Sequence, residues 1–419
     1  MEETKTLEFK REPARTFLKT VSAFANYGTG EILFGVEDDG SVTGVEDVAH
    51  MRLAIENALN DSMSPVPRFS IERRMISGLP VVALTVFESE DKPYLYRGKA
   101  YRRNDTADVE VDRIELNRLV LEGRHLTFDE VSSKEQVLSF EILGAELRER
   151  VGVETMSTDI LKTLGLYTAG GGYSNAAAML ADKNALPGID VVRFGSNISE
   201  IRDRERFIGI SALSQLHGAL AMYRKYYQYE VIEGALRTTR QMVPEEAFRE
   251  AVANALIHRR WDIPANVQIS MKAGSIAVSS PGGLPSGITF EEYLSGHVSV
   301  LRNPTIANVF YRLDYVEIFG TGVARIMAAY DEMPAKPHFS TSDNLLTVEL
   351  PVIEQGTALT LEEGRALSAF AQGRVLSRKE FEDMLGVSRA KAGRLLNALV
   401  ARGLVRRSGS GRATRYATR

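Results

Sequence analysis

Hydrophobic positions in the first 125 residues switch between helical and strand spacing. From Thr16 to Ala25, Phe17, Val21 and Phe24 recur at helical intervals, and the run Asn26-Tyr27-Gly28-Thr29-Gly30 stops the helix. Ile32 to Val36 then reads as a buried strand that ends at the turn Asp38-Asp39-Gly40, and Pro80 to Phe87 reads as a second buried strand. Residues 126–240 alternate helix and strand patterns, with breaks at Gly170-Gly171-Gly172 and Pro187-Gly188. A third α/β stretch runs from Pro244 to Pro351. Ile353 to Thr357 has the composition of a linker, and the last 60 or so residues are mostly helical in pattern.

The pattern predicts an α/β (α+β) chain of several domains. They span 1–125, a connecting α/β region 126–240, a unit over 241–352 and a terminal module over 358–419. The terminal module reads as a winged helix-turn-helix. Leu361 to Ala371 makes one helix, and Ser377 with Glu380 three residues later forms a capping box for a second, which ends near Gly386. Ser388 caps a third helix that runs to about Arg402, with an inner face of Leu395, Leu396, Leu399 and Val400. Arg389, Lys391 and Arg394 occupy its N-terminal half, where a recognition helix presents side chains to the major groove. Leu404 to Arg407 and Ala413 to Tyr416 can pair as a wing, bringing Arg406, Arg407, Arg412 and Arg415 to phosphates. The plainer reading is a small helical domain whose basic face is solvated or mediates dimerisation.

Charge supports the first reading. The chain of 419 residues has a net charge of −4. Leu359 to Arg419 holds 13 Lys and Arg against 5 Asp and Glu, so this end carries +8 and the remainder −12. A basic module on an acidic body is the asymmetry of a localised phosphate-binding surface. A hydrophobic content of 44% predicts packed cores. The absence of cysteine excludes disulfides and thiolate metal sites, and the six scattered histidines show no H-x-x-x-H pair. The opening residues are polar and no apolar run approaches a membrane span, so a cytoplasmic protein without membrane contact is expected.

Candidate chemistry lies on the segment Val243 to His258. Pro244 suits the first helical position, Glu245 and Glu246 suit the positive end of the dipole, and Ala247, Phe248, Ala251, Val252, Ala255 and Leu256 form one apolar stripe. Glu250, Asn254 and His258 follow at i, i+4 along an adjacent edge. A carboxylate one turn before an amide can hold a water while the amide helps orient Mg²⁺ on phosphates; an ordinary polar helix edge has the same composition. Val267 to Met271 and Ile276 to Val278 alternate as a hairpin about Ala273-Gly274, running into Ser280-Pro281-Gly282-Gly283-Leu284-Pro285. Arg302-Asn303-Pro304 follows, and then Gly320-Thr321-Gly322 opens a helix whose backbone N–H groups can cradle an anion.

Together, Pro244 to Pro351 resembles the gyrase/histidine-kinase (GHKL) type ATPase fold, an α/β sandwich. The form is the divergent one found at the C-terminus of RecG-like transcription regulators. The resemblance implies ATP and Mg²⁺ as ligands, with Glu250 as the water-activating acid and Asn254 as the Mg²⁺ amide. It further implies that His258, Ser280, Gly282, Gly283, Gly320, Thr321 and Gly322 line the nucleotide site. Where typical members place an aspartate to read the adenine amino group, this chain has Ser279 and Ser280. There is no G-x-x-x-x-G-K-[ST] loop, so the RecG label does not carry helicase activity.

Glu3 to Arg11, Ser22 to Gly40 and Pro93 to Thr106 resemble the Schlafen AlbA-type domain. In its nuclease members acidic residues hold a divalent metal for RNA cleavage, and Glu3, Glu8 and Asp38 or Asp39 occupy comparable positions. A nuclease acting on RNA or single-stranded DNA is one expectation. The other is a binding module that uses Lys10, Arg11, Arg102 and Arg103 beside Tyr94, Tyr96 and Tyr101. The expected whole is a transcription regulator, a homo-oligomer on duplex DNA, in which nucleotide in the central unit biases the DNA-bound arrangement. A stand-alone ATPase is the third expectation.

Overall fold

A computed structural model describes residues 1–419 except 234–235, 286, 297–299, 318–319, 354–360, 371–373, 402, 410–413 and 419. The fold is mixed α/β, and contacts divide the chain into two compact units, Met1–Phe128 and Asp129–Arg419.

In the first unit, β1 (Leu7–Lys10), α1 (Phe17–Tyr27) and β2 (Gly30–Phe34) form a βαβ crossover, with β1 and β2 parallel in the register Leu7↔Glu31 to Lys10↔Phe34. Helix α2 (Val48–Ser62) follows, and then β3 (Phe69–Ile76) and β4 (Leu79–Val86) complete a sheet of order β1-β2-β4-β3. The helical spacing seen in the sequence becomes the buried face of α1, where Phe17 meets Phe34 edge-on at 5.3 Å. Gly30 follows α1 because a side chain there would overlap the Phe24 ring.

In the second unit, helices at Glu141–Val151, Thr158–Thr163 and Asn175–Leu180 precede β5 (Ile189–Phe194), β6 (Ile201–Phe207) and α3 (Ala212–Tyr227). They are followed by α4 (Glu245–His258), β7 (Val267–Met271), β8 (Ser275–Pro281), α5 (Pro304–Arg312) and α6 (Gly322–Ala328). The closing strands are β9 (His338–Thr341) and β10 (Leu345–Pro351). They make a six-stranded sheet of order β6-β5-β7-β8-β10-β9, in which only the β5–β7 pair is parallel among the described residues. Strands from both sides of residue 241 therefore share one sheet, and α3 packs beside α4. Val267, Ile269, Met271, Ile276, Val278, Val348 and Leu350 turn inward. The other face carries polar pairs such as Ser275 with Glu349 at 2.6 Å and Ser279 with Thr347 at 2.9 Å. Pro244 precedes α4 as its N-cap rather than taking its first position.

The last segment has α7 (Leu361–Ser368), α8 (Arg378–Leu385), α9 (Arg389–Ala401) and the antiparallel pair β11 (Val405–Ser408) and β12 (Arg415–Thr418). The Ser377–Glu380 capping box is formed, and Gly386 ends α8 at φ +64°. Phe370, Phe381, Leu396, Leu399, Val405 and Tyr416 make a separate small core. Reciprocal bonds between Leu376 and Tyr416 (2.9 and 2.8 Å) tie β12 to the segment before α8. No helix of the described residues is long and apolar enough to cross a membrane.

Candidate nucleotide site

Helix α4 buries Ala247, Phe248, Ala251, Val252, Ala255 and Leu256 against the sheet and its helical neighbours. That packing holds its polar edge in place. Glu250 is only 1% exposed, and its Oε1 accepts from Asn254 Nδ2 at 3.3 Å. Its Oε2 is buried with no hydrogen-bond partner among the described residues, and so is the Thr321 hydroxyl. Burial raises the Glu250 carboxyl above its usual range, with nearby Arg325 opposing.

The loop that opens α6 comes directly onto this pair. A Cβ on Gly322 would lie 2.5 Å from Asn254 Nδ2 and 2.8 Å from Glu250 Oε1, so only glycine fits there without displacement. Gly320 lies before it at φ +72°. Asn254, His258, Ser280, Gly282, Gly283, Gly320 and Gly322 line one cleft, whose apolar part includes Val278, Leu284, Tyr293 and Val348. Glu250 and Thr321 lie beside it through Asn254 and Gly322. The predicted residues thus converge, although they come from three separate stretches of chain.

Their roles differ in detail from the expectation. The Gly282 and Gly283 N–H groups donate to Asn344 at 2.8 Å and Asp343 at 3.1 Å, so they are already used. What these glycines provide is close packing: Gly282 has φ +102° and a Cβ there would meet Arg260 at 2.6 Å. Ser280 is 5% exposed, and its hydroxyl donates to the Ala255 carbonyl at 3.1 Å. Ser279 points to the opposite face of the sheet, bonded to Thr347. Burial and the neighbouring Arg302 push the His258 imidazole down to about 4, so it is neutral near pH 7.

Two residues of the Arg302-Asn303-Pro304 stretch organise the site. Arg302 donates to the His258 carbonyl at 2.6 Å and the Gly283 carbonyl at 2.9 Å, joining the end of α4 to the glycine turn. Asn303 donates to the Ile257 and Arg259 carbonyls at 2.6 and 3.0 Å, satisfying the end of the helix. The sequence marks the stretch but carries no local sign of these partners. Two orphaned buried oxygens beside an amide and a glycine loop fit a phosphate–Mg²⁺ group. Asn254 would hold the metal, which would supply charge neutralisation on the phosphates.

The acidic residues of the first unit are arranged otherwise. Glu3 accepts from the Phe9 N–H at 2.9 Å. Glu8, 5% exposed, is paired with Lys10 at 2.5 Å and Arg103 at 2.7 Å, and Arg103 also pairs with Asp108 at 3.1 Å. Asp38 sits on an exposed turn. Among the described residues, no three His, Asp or Glu side chains are grouped to hold a metal. The expected binding face is largely committed too. Arg103, Tyr94, Tyr96 and Tyr101 are buried, Arg11 pairs with Glu37 at 3.4 Å, and Arg102 pairs with Glu115 at 3.5 Å.

On α9, Ala392, Leu395, Leu396 and Leu399 are buried, while Arg389 and Arg394 are exposed. Lys391 is half-buried and paired with Glu362 of α7 at 2.5 Å. Arg406, Arg407 and Arg415 are exposed on the β11–β12 pair, and Arg412 lies outside the described residues.

Residues 3–112 match the family model "Schlafen, AlbA_2", and residues 265–350 match "Putative ATP-dependent DNA helicase recG C-terminal". Both resemblances read from the sequence are found, each over its own part of the chain. A comparison with curated proteins returns no match. Among solved structures, the DIP2311 protein from Corynebacterium diphtheriae is similar at 21% identity and a TM-score of 0.48, over 99% of this chain and 92% of that one. The N-terminal domain of a "Putative ATP-dependent DNA Helicase RecG-related Protein" from Nitrosomonas europaea is similar at 23% identity and a TM-score of 0.22. That match covers 27% of this chain and 86% of the other. The chain thus joins a Schlafen AlbA_2 part to a RecG-type, ATPase-like part, a nucleic-acid-related combination.

Proposed function

We propose that this chain is a nucleotide-responsive, DNA-binding transcription regulator. ATP with Mg²⁺ occupies the cleft beside α4 as a regulatory ligand. The segment from α7 to β12 acts as a winged helix that grips duplex DNA through Arg389, Arg394, Arg406, Arg407 and Arg415. The observation that carries the nucleotide half is the convergence of Glu250, Asn254 and Gly322 around two buried oxygens without partners. The DNA half rests on the exposed arginines over a packed three-helix core with a basic hairpin. A ligand shifts DNA affinity only through different affinities for the DNA-competent and DNA-incompetent states. Calorimetry with ATP, ADP and GTP in Mg²⁺, followed by duplex titration with and without the tight binder, tests both halves. Nucleotide binding lost in Asn254→Ala supports the reading. Equal DNA affinity with and without bound nucleotide removes the coupling.

A second reading is favoured by the Glu250 carboxyl itself. Its burial raises its proton affinity, which suits a general base that takes a proton from water. Phosphate release that disappears in Glu250→Gln while ATP binding survives would assign turnover to this residue.

A further inference from the structure

The first unit carries 17 Lys and Arg against 22 Asp and Glu, yet one cleft in it is lined by four cations and no carboxylate. Arg15 and Lys19 stand at the start of α1, four residues apart. Arg97 and Lys99 stand on the turn Tyr96–Lys99, closed by reciprocal bonds of 2.9 and 3.1 Å between its two ends. Lys99 has a counter-ion, Glu110 at 2.6 Å. Arg15, Lys19 and Arg97 have no carboxylate partner among the described residues, so three positive charges face one concavity uncompensated. Thr16, between the cations of α1, makes no side-chain capping bond and leaves its hydroxyl to donate there.

Two details show that the cations are held in place. Arg97 occupies φ +52°, a region that suits glycine or asparagine, so the turn keeps an arginine against its backbone preference. Its guanidinium lies 5.3 Å over the Tyr96 ring, and Lys19 Nζ lies 5.7 Å over the Tyr101 ring. Both rings are buried, at 5% and 8% exposure, so they support cations and offer no face on which a base could stack. The cleft therefore reads charge. A phosphodiester backbone delivers one charge per nucleotide, spread along the strand. Three converging cations match a group that concentrates two or more charges.

We propose that this cleft binds a terminal phosphate, as a phosphomonoester or pyrophosphate group. The carrier is a small phosphorylated ligand or the 5′-phosphorylated end of a nucleic acid. The test is calorimetry at low salt on the full chain in an Asn254→Ala background, which removes the nucleotide cleft from the measurement. Pyrophosphate, a 5′-phosphorylated oligonucleotide and its 5′-hydroxyl counterpart are the three probes. Pyrophosphate should bind, and Arg97→Gly and Lys19→Gln should each weaken it by about tenfold, as loss of a charge-assisted contact does. Arg97→Gly relieves the positive φ, so its melting temperature should not fall, which separates lost binding from lost folding. Binding of the phosphorylated but not the hydroxyl oligonucleotide assigns the nucleic-acid end, and pyrophosphate binding alone assigns a small ligand. Absence of pyrophosphate binding, or equal pyrophosphate affinity in Arg97→Gly, would overturn the proposal.

Discussion

The Ser280 hydroxyl donates to the Ala255 carbonyl across 3.1 Å, and this bond sets what Ser280 can offer the cleft. A hydroxyl has one proton and two lone pairs. With the proton on a helix carbonyl, the oxygen faces the cleft as an acceptor, the same polarity as a carboxylate but without its charge.

Ser280 is therefore expected to favour a base with an amino group at its edge. Inosine triphosphate, which presents a carbonyl where ATP presents an amine, should bind about tenfold more weakly than ATP, because two acceptors would meet in a buried site. Ser280→Ala should narrow that gap. Equal affinities for the two nucleotides in the unaltered chain would show that Ser280 does not read the base.

Gly322 makes a second prediction. Alanine favours helix over glycine by about 1 kcal/mol, but here its methyl would press on Asn254 and Glu250 at 2.5 and 2.8 Å. Moving either side chain aside would break the Glu250–Asn254 bond of 3.3 Å. Overpacking of about 1–3 kcal/mol should exceed the helical gain, so Gly322→Ala should melt earlier and lose nucleotide binding. A calorimetric scan and an ATP titration of the variant check both effects.

His258 makes acid stability predictable in sign. The folded imidazole titrates at about 4, below its ordinary 6.5. Between these values the unfolded chain binds a proton that the native state does not, so stability falls as pH drops from about 6.5 to about 4 and levels off below. Urea unfolding across that window should show the slope, and His258→Gln should flatten it. A variant with an unchanged slope would place its origin elsewhere.

Some of this was legible in the chain and some was not, for physical reasons. The Glu250–Asn254 edge depends only on helical spacing, and the Ser377–Glu380 cap only on three-residue reach, so both are readable locally. The parallel pairing of Ile189 with Val267 leaves no turn signal, which is why the boundary drawn at residue 241 falls inside a sheet. Ser279 and Ser280 could not be told apart until the strand's inward face was known. Glu8 looks like a free carboxylate in the sequence, and the arginine that claims it lies 95 residues later, at position 103. Tyr94, Tyr96 and Tyr101 beside basic residues read in the sequence as part of a binding module. Their rings form core instead, because alternation alone does not say which face is wet.

Arg103 links three parts of the first unit: β1 through Glu8, α1 through the Phe24 ring at 5.8 Å, and the strand after Ala107 through Asp108. Arg103→Met keeps much of the volume but leaves the Glu8 carboxylate buried with only Lys10 beside it. Breaking a buried pair from one side costs about 3–5 kcal/mol. Amide exchange in β1 and β2 should quicken while that of the sheet from β5 to β10 stays as it was. Pairing Arg103→Met with Glu8→Gln should recover part of the loss, and no recovery would mean that Glu8 is not the group left stranded.

Lys391 is the one proposed DNA contact on α9 that already has an ionic partner among the described residues, Glu362 at 2.5 Å. Binding a phosphate through Lys391 means giving up or sharing that pair. Arg389→Ala and Arg394→Ala should therefore weaken duplex binding more than Lys391→Ala, and each should lower the salt slope by about one unit. Glu362→Gln should act in the opposite direction, since it frees the lysine and removes a negative charge near the duplex. Fluorescence anisotropy on a labelled duplex at several salt concentrations distinguishes these outcomes. Tighter binding in Glu362→Gln that vanishes when Lys391 is also replaced would trace the restraint to this pair, whereas unchanged binding in Glu362→Gln would show that Lys391 does not reach the phosphates.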